Sequence, residues 1–323
     1  MSRVIIKRNI QQTDAILEKD CAFFSNRTKK TNIFLMQLRL WRITLTLSLQ
    51  ISERNTFYEI GGFLMHTDNK TVLELVELDQ DDILGLIELS ASVGWDYDEY
   101  EIRTVMLSGK IFGHRDATGK IVSSAAIIPY DTNLASIGMV IVNKEYRGLG
   151  LGKKATLKCI DSVSKDTSIM LISTEDGKPL YENLGFITVD LVHKFLSDSY
   201  IHTKMFNNRD ITIEKYSEID FNAIVELDSG AFGDKRRRFL LNRIKQSKQC
   251  LVVKNQKGKI IGFGLSILGP INLILGPIVA PDTQTAVMII DRLALNHKGK
   301  LRIVFLSQTE ADTRISLRQD RIR

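Results

Sequence analysis

The chain has 323 residues, of which 44% are hydrophobic and 25% charged, with a formal charge of +6 at pH 7. That balance excludes a disordered or fibrous chain and suits a globular protein of about two domains. Residues 1–65 hold ten Lys and Arg against five Asp and Glu, so +5 of the +6 lies there, and the remainder has no basic face of the kind nucleic-acid binding needs.

The opening segment is the least legible. Ile33 to Ile51 is rich in apolar residues, but Arg39 and Arg42 interrupt it, so no run of 18 apolar residues spans a membrane. The order of charge and apolar run does not suit a signal peptide. A basic amphipathic element at a membrane surface would fit. Residues 1–65 are read instead as an N-terminal extension of unknown role, outside the fold that follows. Cys21, Cys159 and Cys250 are too widely spaced for a zinc site or a disulfide framework, which points to a reducing cytoplasm. His114, His193 and His202 have no metal-ligand spacing, and no metal is expected.

From Thr71 the chain alternates regularly. Thr71–Leu78 reads as a strand and Asp81–Val93 as a helix. Gly94–Tyr100 is a polar and aromatic loop, and Glu101–Leu107 a second helix. Lys110–Arg115, Ile121–Pro129 and Leu134–Val142 read as strands, with a hairpin signal at Asp116-Ala-Thr-Gly119. Arg147-Gly-Leu-Gly-Leu-Gly152 then opens an amphipathic helix from about Gly152 to Lys165. Ser168–Ser173 is a compact strand, Leu180–Phe186 a short helix with a Gly stop, and Ile187–Phe195 a closing strand.

The run from Ile137 to Lys154 organises the rest. A buried strand, Met139–Val142, leads into three glycines at alternate positions, which would let bare amides gather at a helix N-terminus. Orphan N–H groups and the positive end of the helix dipole bind phosphate there, with Arg147 and Lys153 adding charge. The dinucleotide fingerprint fails because its third glycine is missing, and the mononucleotide P-loop fails because no glycine stands five residues before Gly152. What remains is R-x-x-G-x-G, with Arg147, Gly150 and Gly152 in register. It resembles the acyl-CoA pyrophosphate loop of the GNAT superfamily of N-acetyltransferases, and the strand before it resembles that family's fourth. Leu180-Tyr-Glu-Asn-Leu-Gly-Phe186 resembles the second signature of the family, in the expected order. The resemblance covers about residues 71–197 and implies an α/β (α+β) GNAT fold, a mixed sheet with helices on both faces.

The chain then repeats itself. Gly119–Ile127 matches Gly258–Ser266, Ile141-Val142 matches Ile278-Val279, and Ile87-Glu-Leu89 matches Val225-Glu-Leu227, at offsets of 139, 137 and 138. We therefore expect two tandem copies, a GNAT domain at 66–200 and a degenerate GNAT-like domain at 208–323. Aligned by that offset, Arg147, Gly148, Gly150 and Gly152 fall on Gln284, Thr285, Val287 and Ile289, so the second copy is expected to bind no cofactor. Ser307–Arg323 is polar, and the second sheet is expected to lack its last strands.

The resemblance implies transfer of an acetyl (acyl) group from acetyl-CoA to an amine, most simply a primary amine of a small molecule. It assigns the backbone of Val140, Ile141 and Val142 to the pantetheine arm, one N–H polarising the thioester. It assigns Arg147, Gly148, Leu149, Gly150, Leu151, Gly152 and Lys153 to the pyrophosphate, and Tyr181 to protonation of the leaving sulfur. The general base is left open among Glu77, Asp96, Asp98 and Glu175, each of which also suits a surface acid or a helix cap. Trp95 and Tyr97 fall where the family shapes its acceptor pocket, though core packing explains Trp95 equally well. The charged run Asp234-Lys-Arg-Arg-Arg238 reads as a solvated helix start, or as a group that meets an anionic acceptor. Two other functions fit the same residues, a non-catalytic acyl-CoA sensor and an acetyltransferase for protein lysines or N-termini. Oligomeric state is not legible.

Overall fold

In the computed structural model the described residues are 2–7, 34–36, 73–202 and 210–306. Two short strands come first, β1 (Ser2–Lys7) and β2 (Phe34–Met36). The first copy follows as β3 (Glu74–Leu78), α1 (Ile83–Ser92), α2 (Glu99–Ser108), β4 (Lys110–Arg115), β5 (Ile121–Pro129), β6 (Leu134–Val142), α3 (Leu151–Asp161), β7 (Ser168–Ser173), α4 (Lys178–Glu182) and β8 (Ile187–Ser197). The second copy is β9 (Ile211–Lys215), α5 (Phe221–Phe232), α6 (Arg237–Gln246), β10 (Gln249–Asn255), β11 (Ile260–Leu268), β12 (Leu273–Ala280), α7 (Thr283–Ala294) and β13 (Leu301–Leu306).

The two copies start alike because the same local chemistry starts them. Before α1 the Asp82 carboxylate accepts the Asp79 N–H at 2.9 Å, and before α5 the Asp220 carboxylate accepts the Ser217 N–H at 2.9 Å. Each is a capping box, which satisfies amides that a helix start leaves without partners.

All described strands join one mixed sheet in the order β3-β4-β5-β6-β7-β1-β8-β13-β12-β11-β10-β9, with β2 added on β12. The five strands at each end run inward in the same sequence, so the copies face each other across β1 and β8. Helices α1 and α2 share one face with α5 and α6, since Leu86, Ile102, Phe232 and Phe239 belong to one buried cluster. Ala155 and Cys159 of α3, and Ile289 and Leu293 of α7, cover the other face.

The reading of residues 1–65 as an appendage is corrected at two places. β1 lies inside the sheet, antiparallel to both β7 and β8, with Ile5 opposite Leu171 and Arg3 opposite Leu191. Its Val4 and Ile6 pack under α1 and α2, whereas Ile5 packs under α3. A strand buried on both faces is a plain apolar run of three residues, too short to stand out in a sequence. β2, within the stretch considered for a membrane surface, pairs antiparallel with β12. The rest of that stretch, Cys21 and the tail Ser307–Arg323 lie outside the described residues. No helix of the described residues is long and apolar enough to cross a membrane.

The charged run at the start of α6 is solvated only in part: Lys235, Arg237 and Arg238 are exposed, but Asp234 and Arg236 are buried. Arg236 is 1% exposed and donates to both carboxylate oxygens of Asp228, at 2.6 and 2.8 Å. The Asp234 carboxylate accepts the Leu134 N–H at 3.1 Å, and Asp131 accepts the Arg237 N–H at 3.0 Å, so the run ties the second copy to the first. Beside it Arg243 of α6 grips Glu101 of α2 through two bonds of 2.7 Å, and both side chains are buried.

Candidate active site

The site begins with a strand that loses its neighbour. β6 runs parallel to β7 only as far as Ile137 opposite Leu171, after which the two diverge. On its other side β6 stays paired to β5, with Ile141 opposite Ser124 and Val142 opposite Ser123. Between these pairs Met139 and Val140 stand against Ala125, a bulge in which Met139 takes φ +49° and gives its carbonyl to the Ser124 hydroxyl at 2.7 Å. The edge of Val140, Ile141 and Val142 that faces β7 is thereby left without a strand, as an extended ligand would need.

Past Val142 the chain turns through Asn143, whose side chain accepts the Glu145 N–H, and reaches the glycines. Gly148 and Gly150 hold φ of +81° and +73°, and an added Cβ at either would meet no atom within 4 Å. Backbone angle, not crowding, requires glycine there. At Gly152, inside the buried first turn of α3, a Cβ would lie 3.3 Å from Val142 Cγ2. The first helical bond of α3 runs from Lys154 N to Gly150 O, so the amides of Leu151, Gly152 and Lys153 have no helical acceptor and point out along the axis. Arg147, Leu149 and Lys153 are exposed around them. The loop is tied down by Tyr146, which donates to Asp116 at 2.8 Å. The Thr118 hydroxyl, which donates to the same carboxylate at 2.6 Å, and the Tyr146 bond hold the Asp116 carboxyl down at about 2.

Tyr181 sits on α4, beneath the same opening. It is 6% exposed, packs edge-on against Phe186 and lies in the cluster with Ile5, Leu171 and Cys159. Burial pushes its phenol well above the ordinary value of 10, so it keeps its proton. Ser173 was not singled out from the sequence. It is buried at the end of β7, two residues beyond the last pair with β6, and its hydroxyl has no partner. Nothing in a strand's sequence marks one serine among several as an orphan.

The four candidate bases separate. Glu77 pairs with Lys110 at 3.1 Å on the surface, and Asp98 caps α2 by accepting the Glu101 N–H at 2.8 Å. Glu175 pairs with Arg3 at 3.2 Å, both partly exposed. Asp96 lies between Trp95 and Tyr97, whose rings sit 6.1 Å apart, tilted by 48°, and pack against the core under α1. No group of three or more metal-ligating side chains occurs among the described residues. A cavity of about 520 Å³ opens between α1 and the β4–β5 hairpin, but it holds neither Tyr181 nor the aromatic loop.

The second copy differs from the expectation in kind. Between β6 and α3 stand eight residues, 143–150, but between β12 and α7 only two, 281–282. Gln284, Thr285, Val287 and Ile289 therefore lie within α7 and do not replace the loop; six residues of loop are gone. Asp282 caps α7 instead, accepting the Thr285 N–H at 2.7 Å. β2 pairs with Ile278, Val279 and Ala280, the first two being the counterparts of Ile141 and Val142 at the offset of 137.

The comparisons agree with this geometry. Two family models, each described as an acetyltransferase (GNAT) domain, match residues 97–206 and 224–318. The uncharacterized N-acetyltransferase YitH of Bacillus subtilis is 38% identical over 232 residues, which is 71% of this chain and 81% of that protein. A glucosamine 6-phosphate N-acetyltransferase of Trypanosoma brucei brucei is 40% identical over 85 residues, 24% of this chain and 57% of that protein. Among solved structures, a tandem GNAT protein from the clavulanic acid pathway superposes with a TM-score of 0.55 at 12% identity, covering 76% of this chain and 93% of that one. A GCN5-related N-acetyltransferase from Sphaerobacter thermophilus superposes at 0.52 and 13% identity, covering 73% and 87%. The chain belongs to the GNAT acetyltransferases and is an acyltransferase built from two of their domains in tandem.

Proposed function

We propose that the first copy transfers an acetyl group from acetyl-CoA directly to a primary amine of a small molecule. The observation that carries this reading is the bare edge of β6, which leads through a short turn into left-handed glycines and a helix with no side-chain cap. The residues fit the co-substrate, because the edge offers main-chain partners to an extended arm and the loop offers free amides to a diphosphate. Acetyl-CoA supplies a thioester whose carbon the amine attacks and whose sulfur departs. An N–H in the Val140–Val142 stretch, freed by the bulge, donates to the carbonyl oxygen as charge gathers there. Arg147 and Lys153 balance the phosphate charge. The Tyr181 hydroxyl holds the proton that the departing sulfur takes.

A small acceptor is supported by the way α6 packs on α2 through Glu101 and Arg243 over the face where Trp95 and Tyr97 lie. The relative named for glucosamine 6-phosphate supports it too. The test is a CoA-thiol release assay over amines, polyamines, amino acids, amino sugars and a lysine peptide, with Gly150→Val as the control. Release with a small amine, lost in the control, is expected. Bound acetyl-CoA with no release would favour the sensor, and release with the peptide alone would favour protein acetylation.

A further inference from the structure

Four serine and threonine hydroxyls beside the opening between β6 and β7 serve the fold. Ser124 donates to the Met139 carbonyl at 2.7 Å, Thr156 donates to the Gly152 carbonyl at 2.8 Å, and Thr174 accepts the Gly177 N–H at 3.1 Å. Ser123 meets His114 at 2.6 Å. Ser173 differs from them. It is 1% exposed, and its hydroxyl has no hydrogen-bond partner among the described residues. Arg3, directly opposite it on β1, turns to Glu175 instead. A buried polar group without a partner costs stability, so its place calls for a reason. The sheet register says what it faces. Ile137 opposite Leu171 is the last pair before β6 and β7 part. Counting on, Gly138 falls to Ile172, and the bulged residues Met139 and Val140, which share one place in the ladder, fall to Ser173. The faces agree, because Ile137, Val140 and Leu171 pack in one cluster with Tyr181. Alternation along β7 puts the Ser173 side chain on that same face, under α3 and α4. The wall beside it is carbon. A Cβ on Gly152 would lie 3.3, 3.8 and 4.0 Å from side-chain carbons of Val142, Leu180 and Val140.

Resting on the transfer reading above, we propose that the Ser173 hydroxyl donates a hydrogen bond to the thioester sulfur of acetyl-CoA as that sulfur leaves. In that reading an N–H of the Val140–Val142 stretch serves the carbonyl oxygen, so the sulfur is left for the strand across the gap. A thioester sulfur is a weak acceptor, whereas a departing thiolate carries charge and accepts strongly. The bond is therefore made mainly in the transition state, and such a bond raises kcat without tightening binding. When the carbon–sulfur bond breaks, its electron pair passes to sulfur, which takes the proton of Tyr181. Ser173 keeps its own proton throughout. A hydroxyl with no partner in the fold suits this task, since it has no bond to break before it turns to the sulfur.

The test measures CoA-thiol release by the full chain, with acetyl-CoA and whichever amine of the panel above the wild type uses fastest. Ser173→Ala is expected to lower kcat about 10-fold and to leave the KM for acetyl-CoA within about twofold. Its urea midpoint should equal or exceed that of the wild type, because the variant buries no unsatisfied hydroxyl. Ser173→Cys keeps a weak donor and should fall between the two in kcat. An unchanged kcat in Ser173→Ala would overturn the proposal and leave the transfer reading standing. So would a rise in KM alone, which puts the hydroxyl on the bound arm, or a lowered urea midpoint, which makes it a structural group. If the wild type releases no thiol with any amine, the transfer reading falls and takes this one with it.

Discussion

Gly150 shows how much one backbone angle decides. Its φ of +73° turns the loop into the helix and leaves the amides of Leu151 to Lys153 facing outward. A β-branched side chain is strained in that region by roughly 1–2 kcal/mol, so Gly150→Val should weaken acetyl-CoA binding about 10-fold or more by calorimetry. Unaltered binding would mean that the diphosphate sits elsewhere. Tyr181 makes a different demand. Its proton is retained by burial, so Tyr181→Phe should lower kcat by about 100-fold while the KM for acetyl-CoA changes little. The pH signs follow from the raised value. The buried neutral phenol stabilises the fold fully below the ordinary value near 10, and that contribution is lost as pH rises through the folded value. The wild type should therefore lose more stability than Tyr181→Phe between pH 9 and 11 in urea melts, to the order of 1 kcal/mol. A kcat loss without that alkaline difference would put the tyrosine's role in doubt.

The ion pair of Glu101 and Arg243 joins α2 to α6, and its worth lies in being complete. Both side chains are buried, and Gln246 adds a third donor to the carboxylate at 3.1 Å. Removing one partner strands a charge, so Glu101→Gln or Arg243→Met should each cost about 3–5 kcal/mol in urea unfolding. Glu101→Leu with Arg243→Met should recover much of it. If the single variants melt like the wild type, the helices are held by other contacts. No periodic pattern reveals such a pair, because each partner reads as one polar residue on a helix. The same limit separates what was legible from what was not. Lys110–Arg115, Ile121–Pro129 and Leu134–Val142 form strands over the ranges expected, since hairpin signals and apolar runs are local. Glycines at 148, 150 and 152 announced a loop for the same reason. β1 was illegible because its partners, Leu171 and Leu191, stand more than 160 residues away.

Across the whole molecule the two copies treat one structural problem in opposite ways. Each opens its sheet between the fourth and fifth strands, and an open strand edge must find partners for its amides and carbonyls. In the first copy the edge at Val140–Val142 is left without a strand, with a glycine loop and bare helix end beyond it, which is where the proposed function seats acetyl-CoA. In the second, β2 of the same chain lies along Ile278–Ala280, the loop is six residues shorter, and the Asp282 carboxylate stands where a diphosphate would have to sit. A carboxylate and a phosphate compete for the same helix dipole and repel each other. One acetyl-CoA per chain is therefore expected by calorimetry, whatever the excess supplied. β2 should matter for stability and not for that count. Proline in the middle of a strand removes an amide donor and fixes φ, so Leu35→Pro should lower the melting temperature of the full chain while acetyl-CoA still binds once. Two equivalents bound to the wild type would mean that the second opening is a working site. A melting temperature untouched by Leu35→Pro would mean that the edge of β12 finds its partners elsewhere.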